Sequence, residues 1–455
     1  MRSAQKSAAP RTPYLFLIPL LYGTFAFGAT TPTTRAVCDV LLVIVIVGYF
    51  LEIRIRRLRN RVPTGILLVV GSICLIGGIS LVNPTYRYDA RLDFLEPLTS
   101  GLSWLPTTYD WATSLPLILH GAVLAGVLLF LVGAVADRKF RWSMIGAIAV
   151  IGFVIAVIGV FQKVTDARSL LFSSIEYDGN TFFGSFRYHG NAAAFLNLCW
   201  PASLAMLLRE VRKSGSNIFA ISLWANALLF TLGATLVNTS KYGQAILIPS
   251  LIIAALAFRR GFPKFEGGIR RTIPVIAIIV AALFLVLALF SAETVSMKWA
   301  EALSTGSSLK GRLLAYETAI EMVKNAPLWG HGAGTFGLLF PYFSIGFGDS
   351  LGGKWTYAHN DYLQTLVEWG IIGSLLIFGL FAKAVFNLAK RQLSHREISL
   401  SATASFVGLV LVAIHALVDF PLQIPALQLI VLFYLAIGLS ESHRHFRRKR
   451  SLVNK

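Results

Sequence analysis

The 455-residue chain is 55% hydrophobic and only 14% charged, with a formal net charge of +19 and a mean hydropathy of +0.67. That charged fraction is well below the roughly 25% of soluble globular domains, so a soluble enzyme is excluded. The apolar residues fall in blocks of the length a helix needs to cross about 30 Å of hydrocarbon.

In chain order the blocks predict about twelve spans, near 14–31, 36–53, 64–82, 115–135, 142–161, 191–208, 218–237, 242–258, 272–291, 362–386, 399–418 and 424–440. The basic stretch Met1–Pro13 precedes the first, and is expected to stay attached to it as a retained span and not a cleaved signal. With the N-terminus inside, the cytoplasmic segments hold 29 of the 41 Lys and Arg. This positive-inside bias places both termini in the cytoplasm. The runs Arg54–Arg61 and Arg447–Arg450 then read as topology anchors, and nucleic acid is not the expected partner. Cys38, Cys74 and Cys199 fall within or beside spans, without the spacing of a disulfide framework or a zinc site.

Three outer segments are long: about 83–114, 162–190 and 292–361. Function concentrates on such segments, because short connections only join helices. The third opens with Ser307-Ser-Leu-Lys-Gly-Arg312 and continues as an amphipathic helix. Leu313, Tyr316, Ile320 and Val323 recur on one face, and Asn325-Ala-Pro327 ends it. Gly332-Ala-Gly-Thr-Phe-Gly337 matches a dinucleotide fingerprint in letters only, since no strand or βαβ unit surrounds it. Its glycines fit a loop turning tightly against the membrane face. Glu176 and Asp178 could hold a divalent ion, but a solvated loop accounts for them better and no second acidic cluster supports a metal.

Cations on the outer side run against the topology rule. Arg187, Lys241, Arg312 and His359 all stand there at span boundaries or turns. Each alone could snorkel to lipid phosphate; together they fit an anion site. Arg312 is expected at the start of the amphipathic helix, where backbone N–H groups favour an anion, and a guanidinium matches phosphate geometry. His359 is either a structural interfacial histidine or a proton-transfer group. His415 and Asp419, four apart, either orient a catalytic histidine or cap the turn Phe420–Pro425.

Over roughly 184–438 these segments resemble the O-antigen ligase and O-antigen polymerase family of bacterial membrane glycosyltransferases. The resemblance rests on Gly311-Arg312, Pro327-Leu-Trp-Gly-His-Gly-Ala-Gly-Thr-Phe336, and His359-Asn-Asp-Tyr-Leu-Gln-Thr-Leu-Val-Glu-Trp-Gly-Ile-Ile-Gly373. Gly184–Asn191 and His415-Ala-Leu-Val-Asp-Phe-Pro421 add to it. Ser240-Lys241 stands where the family often has Ser-Arg; lysine keeps the charge and loses the bidentate fork.

The resemblance implies an all-α polytopic, GT-C-like fold with a long periplasmic loop, 292–361, carrying the amphipathic helix. It implies N-terminal helices over 1–183, a ligase-like membrane domain over 184–441 and a basic cytoplasmic tail over 442–455 of an inner-membrane protein. It also implies a glycan donor on undecaprenyl pyrophosphate and transfer to an acceptor hydroxyl, that of lipid A–core, by an inverting route without metal or cofactor. By position, Arg187, Arg312 and Lys241 would bind pyrophosphate, and His359 with Arg312 would carry catalysis. Asn360, His415 and Asp419 would support them. The same motifs fit a polysaccharide polymerase. From another class, a solute or bicarbonate carrier would need ionisable groups near the midplane, and the mid-span stretches read as almost wholly apolar.

Overall fold

A computed structural model describes residues 10–58, 62–261, 296, 300, 307–351, 355–394 and 399–453, apart from 93, 100, 103, 172, 174, 178–180, 214 and 216. Side chains are described for these except at 307–309, 349–350, 394 and 441–453. The expected span 272–291, Asp178 and the tail side chains lie outside the described residues.

The described chain is mostly helical. After a 3-10 turn, Thr12–Phe16, come α1 (Leu17–Phe25), α2 (Pro32–Ile55), α3 (Thr64–Val82), α4 (Trp111–Ala134), α5 (Arg138–Val164), α6 (His189–Val211), α7 (Ile218–Val237) and α8 (Lys241–Phe258). Then follow α9 (Ser307–Asn325), α10 (Phe336–Phe343), α11 (Asp361–Ser394), α12 (Leu400–His415) and α13 (Pro425–Val453). Among the described residues, eight helices are long and apolar enough to cross a membrane; Thr12–Phe25, Leu400–His415 and Pro425–Ser440 are shorter apolar helices.

Helix α6 is the axis. It packs against α5, α7 and α12 and is buried almost all round. Alanines 192–194, 202 and 205 let neighbouring backbones approach, as small residues do between membrane helices. A Cβ on Gly152 of α5 would lie 2.4 Å from Cys199 Cβ, and one on Gly243 of α8 would lie 2.4 Å from Ala193 Cβ. The starts of α6, α8 and α11 and the end of α12 meet at one end of the bundle, under a cap built from α9, α10 and a hairpin.

Outer segment 83–114 of this mostly helical fold carries an antiparallel hairpin, β1 (Tyr86–Asp89) with β2 (Phe94–Pro97). The structure corrects three sequence expectations. The first span stops at Phe25, because Phe27, Gly28 and Ala29 turn left-handed (φ 59°, 74° and 57°). Helix α9 begins at Ser307, so Arg312 sits in its second turn and not at its N-terminus, beyond the reach of the terminal N–H groups. The buried stripe of α9 is Ala315, Ala319 and Met322, while Leu313 and Ile320 are exposed. Small side chains win because this face lies close against Phe336 and Phe340. Within the almost wholly apolar spans, an ionisable pair stands among the described residues. His120 of α4 pairs through Nδ1 with Asp39 of α2 at 2.7 Å and through Nε2 with Gln428 of α13 at 2.8 Å.

The glycine-rich segment has a definite partner. Helix α11 breaks at Gly370 (φ 62°, ψ −172°). The break frees the carbonyls of Val367 and Glu368 and the amides of Ile371 and Ile372. Residues 327–332 take up all four. His331 and Gly332 amides donate to Val367 and Glu368 (2.8 and 3.0 Å), and Ile371 and Ile372 amides donate to Pro327 and Leu328 (2.8 and 3.3 Å). Backbone meets backbone so closely that a Cβ on Gly370 would stand 2.3 Å from the Leu328 oxygen, and one on Gly330 would stand 2.6 Å from the Glu368 carbonyl carbon. Buried backbone groups must be paired, and this insertion pairs them. His331 is fully buried between the inserted segment and Met322, whose carbonyl lies 2.9 Å from its Nε2; burial pushes its pKa down.

Candidate active site

Chain geometry beneath the cap brings separate sequence segments to one point. Asn360 caps α11, its Oδ1 accepting from the amides of Tyr362 and Leu363 (3.0 and 3.1 Å). Its Nδ2 donates to the Leu417 carbonyl at 3.0 Å, and the Asp361 amide donates to Ala416 at 2.9 Å. Asp361, fully buried, accepts from the Leu422 amide (2.8 Å) and Gln423 Nε2 (3.1 Å). The start of α11 is thereby bolted to the turn that follows α12.

That bolt sets His359 beside Asp419. Nδ1 of His359 lies 3.0 Å from Asp419 Oδ1. His359 holds a left-handed backbone (φ 50°), which costs a non-glycine residue of order 1 kcal/mol or more. Its carbonyl accepts from the Tyr316 hydroxyl of α9 at 2.8 Å. The ring is bordered edge-on by Phe420 at 4.9 Å, Trp355 at 5.6 Å and Tyr188 at 6.2 Å, yet its side chain stays 24% exposed. With Nδ1 turned to a carboxylate, Nε2 is left as the outward-facing nitrogen.

Asp419 is 1% exposed. Burial pushes its carboxyl up, but the His359 hydrogen bond and the charges of His415, His359 and Arg312 outweigh it and hold the group below the usual aspartate range. Its Oδ2 accepts from the Tyr188 hydroxyl at 3.2 Å and lies 4.0 Å from His415 Nε2. Helix α12 ends at His415, and the closing turn keeps an i→i+4 bond from the Asp419 amide to the His415 carbonyl at 3.0 Å, so the two side chains, four apart, face each other. Gly190 makes room for this: a Cβ there would sit 2.5 Å from Asp419 Oδ2 and 2.4 Å from Tyr188 Cε1.

Arg312 reaches the same turn from α9. It donates to the Val418 carbonyl, acts electrostatically on Tyr188 and lies with Cζ 4.1 Å above the Tyr242 ring. Burial and the Asp419 charge push the Tyr188 phenol well above its usual range, against Arg312. Burial raises Tyr316 to about 12, with Arg312 opposing. Both phenols are therefore neutral donors at physiological pH.

His359, Arg312, Asn360, His415 and Asp419 form one connected cluster. Arg187 and Lys241 stand one residue from it: Arg187 precedes Tyr188, and Lys241 precedes Tyr242. Arg187 is exposed, with its guanidinium 4.9 Å above the Phe27 ring. Lys241 opens α8, whose N-cap is Ser240. Glu176 lies elsewhere, in a bridge with Ser169. The aromatic frame escaped sequence reasoning. Tyr357 stacks on Phe420 at 4.4 Å and feels the charge of Arg35 from the start of α2. The tyrosine following each outer cation, Tyr188 after Arg187 and Tyr242 after Lys241, was the available signal.

Fold and site define a polytopic helical membrane protein with a histidine–aspartate pair and an arginine at one end of its bundle. A family model described as O-antigen ligase matches residues 226–378, which contain Lys241, Arg312, the glycine-rich segment and His359. Over this stretch, about a third of the chain, the protein is similar to the O-antigen ligase family. No curated protein matches the chain. His415 and Asp419 fall outside the matched stretch and join the cluster through the fold; Arg187, also outside it, stays one residue away.

Proposed function

We propose that the protein transfers a glycan from undecaprenyl pyrophosphate to an acceptor hydroxyl, that of lipid A–core, at the periplasmic face of the inner membrane. The observation that carries this reading is the His359–Asp419 pair, bonded through Val418 to a guanidinium from a different segment. His359 Nε2 takes the acceptor proton while the acceptor oxygen attacks the anomeric carbon from the face opposite the leaving group. The carbon–oxygen bond to pyrophosphate breaks with inversion, and the electron pair leaves on the carrier diphosphate. Asp419 stabilises the imidazolium that forms. Arg312, assisted by Arg187 and Lys241, stabilises the leaving charge, the task that fixed cations perform in a poorly hydrated site.

The test is transfer in vesicles supplied with a synthetic carrier-linked glycan and lipid A–core. Product formation that depends on His359 and Arg312 supports the reading, and normal turnover by both alanine variants sinks it. A polymerase would use the same groups on a second carrier-linked glycan. In a deletion strain, single repeat units on the surface indicate a polymerase, and long carrier-linked chains that never reach lipid A indicate a ligase. Among the described residues, the half-buried Asp39–His120–Gln428 trio favours a solute carrier. Solute uptake into the same vesicles, lost on His120→Ala, would establish that reading instead.

A further inference from the structure

Helix α4 packs against α2 and α13, and His120 stands buried where they meet. Each of its ring nitrogens faces an oxygen. Nδ1 lies 2.7 Å from Asp39 Oδ1, and Nε2 lies 2.8 Å from Gln428 Oε1. The Gln428 amide is locked in this sense, because its Nε2 donates to the Leu422 carbonyl at 2.7 Å; reversing it would set oxygen against oxygen there. A neutral imidazole has one N–H and one bare nitrogen, so between two acceptors one contact would lack its proton. The imidazolium donates to both. With the Asp39 carboxylate it forms a pair without net charge, so no lone charge is buried.

Beyond Leu422 the bonds continue to the site. The Leu422 amide donates to Asp361 Oδ2 at 2.8 Å, and Gln423 Nε2 donates to Asp361 Oδ1 at 3.1 Å. Leu422 follows Asp419 by three residues, and Asp361 follows His359 by two. One peptide unit of this turn thus joins the trio to both members of the His359–Asp419 pair.

We infer that His120, held as the imidazolium, is a positioning residue for the reaction: through the Gln428 amide it fixes the turn 420–424 and with it the placing of Asp419 against His359. The role in transfer rests on the glycosyl-transfer reading, whereas the bonding can be tested without it. A misplacement of about 1 Å at a reacting group costs up to about a hundredfold in rate, so a turn held from outside the site has a direct kinetic consequence.

Full-length protein with isotope-labelled histidine is followed in detergent micelles by nitrogen NMR, and its amide hydrogen exchange by mass spectrometry. Asp39→Asn offers Nδ1 a donor in place of an acceptor, so it removes the ring charge and keeps the Gln428 contact. One histidine ring should then gain an unprotonated nitrogen signal, while exchange in 419–424 and 359–364 stays as in the unaltered protein. Gln428→Met removes the donor to Leu422. Exchange should rise in those two segments above the rise in α6, and kcat for transfer should fall on the order of tenfold to a hundredfold with the donor KM little changed. Gln428→Glu, which still accepts from His120 but has no proton for Leu422, serves where Gln428→Met does not fold. The inference is overturned if Asp39→Asn leaves every ring signal unchanged, or if the folded Gln428 variant keeps normal exchange in the turn or loses protection evenly over all helices. Raised local exchange with an unchanged kcat overturns the role in the reaction. If the unaltered protein transfers no glycan, the glycosyl-transfer reading fails, and the ring signals and local exchange still decide the bonding.

Discussion

His359 and Arg312 differ in what each side chain also holds up. His359 carries its partner through the ring alone, so His359→Ala is expected to lower transfer by a factor on the order of 10² to 10⁴ with normal membrane levels, as measured in the vesicle assay. Asp419→Asn keeps the shape and loses the charge facing Nδ1; a loss on the order of a hundredfold is expected. Arg312 touches the Val418 carbonyl and Tyr242 and acts electrostatically on Tyr188, so its alanine variant removes both an anion ligand and a brace. Arg312→Lys separates the two: it retains charge without the fork, and transfer restored to near the unaltered rate would show that bidentate geometry is dispensable. Asp419 also sets a pH dependence. Its folded pKa lies below the ordinary aspartate value, so its pairing stabilises the fold above that value and the stabilisation is lost as pH falls through the folded pKa. Thermal unfolding followed from pH 7 to pH 3 should show an acid decline that Asp419→Asn flattens.

Among elements, the break in α11 is the decisive one. The start of α11 presents Asn360 and Asp361 to the α12 turn, while the half beyond Gly370 runs on through the bundle. A straight α11 would leave residues 327–332 without their four backbone partners and would shift the cap, with α9 and Arg312. Gly370→Ala must fit a Cβ 2.3 Å from the Leu328 oxygen in a left-handed conformation. A loss of roughly 3 kcal/mol or more is expected, read as a drop in the unfolding midpoint of purified protein and in transfer together. The fingerprint-like glycines therefore serve backbone packing, the reading that composition and context already favoured over a nucleotide. The stripe of α9 was misread for a related reason. Periodicity weighs bulky residues, whereas the close face of a packed helix selects alanine.

At the scale of the molecule, the bundle has two differently charged ends. One gathers arginine, histidine and neutral phenols around a buried aspartate; at the other, four arginines and a lysine are among the described residues that line a cleft. Between them lies the Asp39–His120–Gln428 trio, whose two hydrogen bonds tie α2, α4 and α13. His120→Ala leaves an aspartate and an amide unpaired and should cost about 1–3 kcal/mol, seen as a lower unfolding midpoint; unchanged transfer at a temperature where the variant is folded would mark the trio as structural. Transfer is also expected to survive EDTA. Complete loss restored by Mg²⁺ would return Glu176 to consideration.

Hydrophobic block length alone placed nearly every described apolar helix, because backbone in hydrocarbon must pair within its own segment and so leaves little choice but a helix. Charge asymmetry and local motifs singled out His359, Asn360, Arg312 and Asp419 as well, since cations on the expected outer side need a reason. Their conjunction was decided only in three dimensions. Val418, Tyr188, Tyr242 and Arg312 are far apart in sequence and meet because α6, α8, α9 and α12 end together. The break at Gly370, the left-handed turn at 27–29 and the pairing of His120 with Asp39 were equally hidden. Each depends on which backbone or side chain arrives from another segment, and one-dimensional spacing carries no record of that arrival.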